Sequence, residues 1–309
     1  MSAVEERVRA GGLLAPGAAV VVLLSGGRDS VCLLDLAVRL AGPVTALHVN
    51  YGLREESDAD ERYCAELCER LGARLAVERP RRPEGPGNLQ AWARDRRYAA
   101  AAAIAEREGA TIVTGHTADD QVETILYRLA SSPSRRALLG MRPHDGMLAR
   151  PLLGCTRAEV TAYCEQRGLG WREDSSNAGT AFARNRVRHG LLPELEKIHP
   201  AAAQNVLRTA ALLRDEAEVL DALVEAEVDG SSGAARGTVS LARMADLPPA
   251  LRRLVLQRLA DGAAGRPVPG AARFAEQVTA LRRTGTATLD LGGHVRAVVE
   301  AGILRAEQD

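Results

Sequence analysis

The sequence predicts an α/β protein, with a parallel sheet followed by a smaller, mainly helical domain. Short apolar strands alternate with helical segments through the first half of its 309 residues. This order is typical of βαβ units, which place helices on both faces of a Rossmann-like sheet. A glycine-rich turn joins the first strand to a helix, and helical patterns predominate from His199 onward. We therefore expect two domains, at residues 1–198 and 199–309.

The strands of the first domain are short and almost entirely apolar, as expected for strands buried on both faces. They are predicted at Val20–Leu24, Val44–Val49, Arg74–Val77 and Thr111–Thr114. The helical segments between them are Val31–Leu40, Ser57–Leu71 and Leu89–Arg107. Ligands of such sheets bind beyond the carboxyl ends of the strands. The loops after the first, second and fourth strands are therefore the expected functional loops.

The second domain begins with one long amphipathic pattern at Ala201–Val228. After a glycine-containing break, shorter helices are predicted at Pro249–Leu259 and Ala271–Arg283. The last two segments, Thr286–Leu291 and Val295–Leu304, alternate around a Gly-Gly pair. That alternation predicts a terminal hairpin.

Composition limits the partners and the compartment. The 40 basic and 40 acidic residues cancel, so a nucleic-acid site must be a local basic patch. Five cysteines, an odd number without a CxxC pair, predict free thiols and a reduced, cytoplasmic protein. The amino terminus lacks the features of a secretory signal, and no apolar run approaches the ~20 residues that span a bilayer. No membrane association is therefore expected.

The turn after the first strand, SGGRDS at Ser25–Ser30, has the features of a pyrophosphate site. Its two glycines permit positive φ and close approach of the backbone to a ligand, while helix-start N–H groups point at the anion. Its serines add hydroxyl donors, and Asp29 is placed to hold Mg²⁺. The turn lacks the Gly-Lys-Ser/Thr ending of a Walker A loop and the G-x-G-x-x-G dinucleotide fingerprint.

A second functional segment, GHTADDQVET, follows the fourth strand at Gly115–Thr124. Thr117 and Asp120 have capping-box spacing, so a helix is predicted to start there. That start gathers His116, Asp119, Asp120 and Glu123. Acids near a helix N-terminus also stabilise the helix dipole. Beside a phosphate loop, however, these carboxylates are suited to hold Mg²⁺ or a substrate amine.

A basic cluster, RNRVRH, contains Arg184, Arg186 and Arg188, with Arg172 a short way upstream. At i, i+2, i+4 spacing the three arginines do not share one helical face, so part of the segment is predicted to be a loop or a helix start. It is expected to bind RNA backbone or to brace the site. The alternative is a solvated basic run.

Several motifs together resemble one family. SGGRDS is similar to the PP-loop of the N-type ATP pyrophosphatases, and the full set resembles the tRNA(Ile)-lysidine synthetases from about Val20 to Pro200. The further motifs are HVNYGLR at His48–Arg54, ARDRRY at Ala93–Tyr98, GHTADDQVET, RPLL at Arg150–Leu153, WREDSSN at Trp171–Asn177 and RNRVRHGLLPEL at Arg184–Leu195. Tyr51 replaces the second histidine of the family's His-x-x-His-Gly-Leu-Arg segment.

The resemblance implies a PP-loop domain followed by a helical domain that helps to hold tRNA. It also implies a ligase reaction on tRNA(Ile) with a CAU anticodon. ATP adenylates the C2 oxygen of the wobble cytidine, and the ε-amine of L-lysine then attacks C2 and expels AMP. Two ways to obtain a nucleophilic ε-amine stay open: desolvation near C2, or proton transfer to a nearby carboxylate. A homodimer is consistent with the family.

Matching motif positions also imply roles for individual residues. The ATP-binding set is Ser25, Gly26, Gly27, Arg28, Asp29, Ser30, His48, Gly115 and His116. The Mg²⁺ ligands are Asp29 and Asp119, and the catalytic residues are Asp29, Asp120 and Glu123. The lysine-binding set is Arg94, Arg97, Asp120 and Glu123. The tRNA-binding set is Arg135, Arg136, Arg172, Arg184, Arg186 and Arg188.

Two departures from the family pattern and three alternatives accompany this interpretation. Residues 130–141 read ASSPSRRALLGM, where the family has a glycine-rich segment, and Pro133 makes this loop stiffer. The extra C-terminal module of longer members is expected to be absent. The alternatives are a thiolase-like PP-loop tRNA-modifying enzyme, an amide-forming ligase, and a non-catalytic module that binds nucleotide or tRNA.

Overall fold

In the computed structural model, residues 2–53, 55–83, 87–132, 135–173, 183–229, 237–282 and 284–309 are described. The chain forms two compact units, Met1–Ala211 and Leu212–Asp309. The division falls within a long helix, α10 (Ala202–Val228). The boundary near residue 198 and the tRNA-holding role of the second domain stay predictions.

The first unit contains a six-stranded sheet with the order β3-β2-β1-β4-β6-β5. Its strands are β1 (Val20–Leu23), β2 (Val44–Val49), β3 (Arg74–Glu78), β4 (Thr111–Val113), β5 (His144–Asp145) and β6 (Leu148–Ala149). Its helices are α1 (Ala3–Ala10), α2 (Arg28–Leu40), α3 (Ser57–Leu71), α4 (Leu89–Glu108), α5 (Ala118–Ser131), α6 (Arg135–Leu138), α7 (Arg157–Gln166), α8 (Ala183–Arg186) and α9 (Leu192–Ile198). A π-helical turn, Val187–Leu191, joins α8 to α9. All sheet pairings are parallel except β5 with β6, which confirms the predicted sheet.

Helices cover both faces of this sheet. Val20 and Val22 of β1 pack into a core with residues of α2, α3 and α7. Val21 and Leu23 point the other way and pack with residues of α4. Because successive side chains of a strand alternate between faces, a central strand covered on both sides must be apolar throughout. This is why β1 has the sequence VVVL.

The strand order places the switch point of the sheet beside β1. The chain passes from β1 to β2 on one side and later returns through β4 on the other. The loops after β1 and β4 therefore diverge from adjacent strands at the carboxyl edge of the sheet. In doubly wound sheets this crevice is where ligands bind.

The second unit contains an antiparallel sheet with the order β7-β10-β9-β8. Its elements after α10 are β7 (Thr238–Ser240), α11 (Leu241–Asp246), α12 (Pro249–Ala264), a 3-10 turn (Ala271–Phe274), α13 (Ala275–Thr279), β8 (Thr286–Gly292), β9 (Val295–Glu300) and β10 (Ile303–Gln308). The single strand predicted at Val295–Leu304 is therefore two strands. Ala301 and Gly302 both have positive φ, 49° and 78°, and form the turn between them. No helix among the described residues is long and apolar enough to cross a bilayer.

Candidate active site

Hydrogen bonds made by Ser25 and Ser30 hold the loop between β1 and α2 in its turn conformation. The Ser25 N–H donates to Ser30 Oγ at 3.2 Å, and the Ser30 hydroxyl donates to the Gly27 carbonyl at 2.8 Å. The Gly27 N–H donates to Ser25 Oγ at 3.3 Å. Gly26 has a φ of 83°, and Gly27 occupies the N-cap of α2 without a side chain to cap it. The first-turn amides of α2 therefore suit an anion.

A second glycine brings the loop after β4 against this turn. A Cβ on Gly115 would lie 2.8 Å from the Asp29 carbonyl oxygen and 3.1 Å from the Ser30 nitrogen. Backbone atoms cannot yield as a flexible side chain can, so only glycine allows this approach. Gly115 thus couples the β4 loop to the start of α2.

Most of the predicted nucleotide residues meet at one cavity of about 250 Å³. Its lining includes Ser25, Asp29, Ser30, Gly115 and His116. His48 lies behind the loop instead: its Nδ1 is 3.0 Å from the Leu24 carbonyl oxygen and 3.4 Å from Cys64 Sγ. That position suits a residue that supports the loop, and a contact between His48 and ATP stays a prediction.

The acidic segment begins α5 with the predicted capping box. The Thr117 N–H donates to Asp120 Oδ2 at 2.8 Å, and the Asp120 N–H donates to Thr117 Oγ1 at 3.4 Å. The adjacent Asp119 turns toward α7, where its Oδ2 accepts the Arg157 N–H at 2.7 Å. The two aspartates thus serve different helices, Asp120 at the start of α5 and Asp119 at the start of α7.

Of the carboxylates at this site, Asp29 is therefore the best suited to bind Mg²⁺. This residue lines the cavity, and Mg²⁺ that travels with nucleotide phosphates needs only one or two protein carboxylates. Burial raises the pKa of Asp29, and Arg28, whose Nε donates to it at 3.0 Å, opposes that shift. The carboxylate whose charge most raises the pKa of Asp29 is Asp120. Asp119 Oδ2 accepts the Arg157 N–H, and a metal role for Asp119 stays a prediction.

Arg157 is a site residue that the sequence reasoning missed. Its guanidinium lies 3.4 Å from Asp120 Oδ1, 3.5 Å from Glu123 Oε1 and 3.8 Å from Asp119 Oδ1. One cation thus holds three carboxylates of the α5 start. A Thr-x-x-Glu capping box at Thr156, which Arg157 follows, marks a helix start but does not indicate which acids the arginine meets.

Glu123 is the most buried of these acids, with 8% of its side chain exposed. Burial and the charge of Asp120 raise its pKa, while Arg188 and Arg157 act in the opposite direction. The Arg188 Nε lies 3.4 Å from Glu123 Oε1. A buried carboxyl with a raised pKa is suited to accept a proton near neutral pH.

Contacts within the protein are seen for Arg172, Arg184 and Arg188, which were predicted to bind tRNA. Arg188 pairs with Glu123, and Arg184 donates to Thr124 Oγ1 at 3.3 Å. Arg172 donates from Nε to Asp60 at 3.0 Å, and its backbone N–H donates to the Gly26 carbonyl at 2.9 Å. These contacts fit the bracing alternative. Arg136 and Arg186 are exposed and Arg135 is half-buried.

The two arginines of the predicted lysine-binding set both lie close to one aromatic ring. The Arg94 Cζ lies 4.8 Å from the centroid of the Tyr98 ring, and the Arg97 Cζ lies 5.6 Å from it. Arg97 and Tyr98 line the same cavity as the phosphate loop. The cavity therefore contains one of these two arginines beside the turn that suits an anion.

His116 is neutral at pH 7. Its Nδ1 lies 2.7 Å from Thr114 Oγ1, and burial lowers its pKa from 6.5 to about 4, with Arg150 contributing and Asp120 opposing. The unfolded chain then binds a proton more readily than the folded protein as the pH falls from 6.5 toward 4. Stability conferred by the neutral ring is thus lost over that range.

Replacing His116 by glutamine should make the free energy of unfolding depend less on pH below neutrality. Lowering the pH from 7 to 5 should cost the wild-type protein about 2 kcal/mol more than the variant. Urea unfolding at both pH values measures the difference. Exposed His144 supplies the control, since His144→Gln should keep the wild-type pH dependence. Equal losses in the wild type and His116→Gln would contradict a depressed pKa.

The switch-point crevice and the glycine-serine loop define a class of ATP-binding PP-loop proteins. A family model described as a PP-loop domain matches residues 4–195. The chain is 39% identical over 276 residues to a tRNA(Ile)-lysidine synthase of Nocardia farcinica, covering 87% of this chain and 85% of that protein. It belongs to the tRNA(Ile)-lysidine synthase family.

Other members of the family are longer. A tRNA(Ile)-lysidine synthase of Azoarcus sp. is 38% identical over 292 residues, covering 90% of this chain but 63% of that protein. Further relatives are covered over 47% and 51% of their length. Among solved structures, the U34-tRNA thiolase NcsA of Methanococcus maripaludis matches 68% of this chain and 78% of its own, with a TM-score of 0.58 and 19% identity. That likeness supports the fold alone.

Proposed function

We propose that this chain is an ATP-dependent ligase that joins L-lysine to C2 of the wobble cytidine of tRNA(Ile) with a CAU anticodon. The observation that carries the proposal is the single cavity that the phosphate loop shares with Gly115 and His116, together with the acids that directly follow them at the start of α5. Family membership supplies the class of substrate.

In the first step, the C2 oxygen of the cytidine attacks the α-phosphorus of ATP, and pyrophosphate leaves. The first-turn amides of α2, with Ser25 and Ser30 lining the same cavity, are proposed to bind the departing phosphates. Mg²⁺ bound with ATP neutralises phosphate charge, and Asp29 is the residue that would hold it. The C2 oxygen thereby becomes part of a good leaving group, AMP.

In the second step, the lysine ε-amine forms a bond to C2 while the C2–O bond breaks and AMP departs with the oxygen. The attacking nitrogen must lose a proton, since an ammonium has no free electron pair. Glu123, with its raised pKa, is the proposed acceptor of that proton. Asp120 supplies a second negative charge near Glu123. The guanidinium of Arg157 lies close to both carboxylates and keeps them in position.

The exposed arginines Arg136 and Arg186 are proposed to contact the tRNA backbone. Such contacts fix the position of an RNA and add a salt-dependent share of its affinity. Arg172, Arg184 and Arg188 are proposed to brace the site through the protein contacts given above. Arg135 is also proposed to contact the tRNA backbone, and this assignment rests only on the sequence prediction.

Labelled lysine tests this proposal. The purified protein is incubated with ATP, Mg²⁺, radiolabelled lysine and a transcript of tRNA(Ile) with a CAU anticodon. Label is expected in that RNA, with one AMP released for each lysine incorporated. Elongator tRNA(Met), which has the same anticodon, is the control. Label in both RNAs, or in neither, would overturn the assignment.

A further inference from the structure

The peptide that joins Gly26 to Gly27 in the phosphate loop is held by a distant segment of the chain. The Gly26 carbonyl accepts the backbone N–H of Arg172 at 2.9 Å, and the Gly27 N–H of the same peptide donates to Ser25 Oγ at 3.3 Å. In a planar trans peptide these two groups point in opposite directions, so a bond to the carbonyl also fixes the direction of the N–H. Glycines on both sides would otherwise allow the peptide to turn over.

Helix α3 holds the segment that supplies this bond, residues 170–172. The Tyr63 hydroxyl donates to the Gly170 carbonyl, and the Arg172 Nε donates to Asp60 Oδ1 at 3.0 Å. Asp60 and Tyr63 are three residues apart on α3, so their side chains lie on one face of the helix. The Asp60 side chain is 13% exposed, and solvent screens its charge only in part. The segment is therefore fixed at both of its ends.

Gly26 also lies directly against α3 and this segment. A Cβ on this glycine would lie 3.4 Å from Tyr63 Cδ1, 3.4 Å from Cys64 Sγ and 3.7 Å from Arg172 Cγ. The φ of Gly26 is 83°, a conformation that other residues rarely adopt. Asp60, Tyr63 and Arg172 do not line the cavity described above. They therefore act on a ligand in that cavity through the loop, which they support from outside.

We propose that Asp60 and Tyr63 are positioning residues for ATP, which fix segment 170–172 so that the Gly26–Gly27 peptide keeps its N–H turned toward the diphosphate portion of the nucleotide. An amide that is already oriented binds an anion without the entropic cost of ordering a glycine peptide. This inference deepens the proposed function and rests on its ATP-binding step alone, with no requirement for lysine or tRNA. It also gives the brace proposed for Arg172 a defined target, the carbonyl of Gly26.

Calorimetric titration of the protein with ATP and Mg²⁺, and separately with AMP, tests the proposal. Asp60→Ala removes the acceptor of the Arg172 guanidinium and should raise the Kd of ATP by about tenfold, while Tyr63→Phe should raise it by about fivefold. The Kd of AMP, which lacks the diphosphate, should stay at the wild-type value in both variants. Exposed residues supply matched controls, Glu66→Ala on the same helix and Tyr127→Phe, and neither should change the Kd of ATP.

Rescue and non-additivity separate this role from general stabilisation of the fold. Asp60→Asn keeps an oxygen that can accept the Arg172 Nε–H, so its Kd for ATP should lie closer to the wild-type value than that of Asp60→Ala. Arg172→Ala should match Asp60→Ala, and the double variant should be no weaker than either single variant, because all three lose the same interaction. Loss of stability alone would lower the melting temperature and leave the ratio of the ATP and AMP Kd values unchanged.

The outcomes separate this inference from the proposed function. Equal losses of ATP and AMP affinity in Asp60→Ala, or no loss of either, would overturn the positioning role. Weaker binding of an anticodon stem-loop RNA by Arg172→Ala, with ATP binding unchanged, would assign this arginine to RNA and overturn the role as well. If the wild type binds ATP but joins no lysine to tRNA, the ligase proposal fails, and the two Kd values still decide the positioning role. A wild type that binds no ATP would overturn both.

Discussion

Replacing Glu123 by glutamine is expected to raise the lysine concentration needed for half-maximal rate by roughly 10- to 150-fold, because a charge-assisted hydrogen bond is worth roughly 1.5–3 kcal/mol. The amide keeps the size of the side chain but cannot carry charge or accept a proton. The rate at saturating lysine should fall as well if Glu123 accepts the proton of the ε-amine. Initial rates of lysine incorporation at varied lysine concentrations measure both effects.

The pH profile of the same variant gives an independent result. Because burial and Asp120 raise the pKa of Glu123, this carboxylate becomes protonated at a higher pH than an exposed glutamate. As the pH falls, the wild type should therefore lose affinity for lysine at a higher pH than it would if Glu123 had the pKa of an exposed glutamate. Glu123→Gln should lack that acid limb. Exposed Glu106→Gln is the control, and a wild-type lysine requirement in Glu123→Gln would exclude the role.

Local sequence patterns predicted the phosphate loop and the start of α5 correctly. Each depends on residues a few positions apart: Ser25 with Ser30, and Thr117 with Asp120. Glycine spacing and capping-box spacing encode such contacts directly. The central place of β1 between two parallel neighbours is equally consistent with its uninterrupted apolar run.

Contacts that join distant segments were not predictable in this way. Arg157 reaches Asp119, Asp120 and Glu123 only because α7 packs beside the start of α5. The sequence contains many arginines, and nothing in its spacing marks this one. The same limitation applies to Arg188, because nothing in its spacing indicates that it pairs with Glu123; its predicted contact with RNA stays a prediction.

Very short elements and tight turns were missed for a different reason. The two strands that extend the sheet, β5 and β6, have two residues each. Two residues are too few to show an alternating pattern of apolar and polar side chains. The break between β9 and β10 is formed by Ala301 and Gly302, both with positive φ. Gly302 is a turn signal that the strand prediction did not use, while Ala301 beside it has no turn signature of its own.

Replacing Asp29 by asparagine is expected to reduce AMP formation by at least about 100-fold, since loss of a metal-holding carboxylate removes several kcal/mol of charge stabilisation from phosphoryl transfer. The backbone of residue 29 should keep its place, because its carbonyl packs against Gly115. The loss should therefore appear in the Mg²⁺ requirement and not in the fold. Pyrophosphate release at varied Mg²⁺, with circular dichroism of both proteins, measures this.

Asp119→Asn supplies the matched comparison. Asp119 accepts the Arg157 N–H and lies 3.8 Å from its guanidinium, so this variant should lower the melting temperature while leaving the Mg²⁺ requirement near the wild-type value. The two aspartates would then separate metal binding from helix capping. If Asp119→Asn raises the Mg²⁺ requirement as much as Asp29→Asn does, both carboxylates hold the metal, and the side chain of Asp119 must turn away from α7 when nucleotide binds.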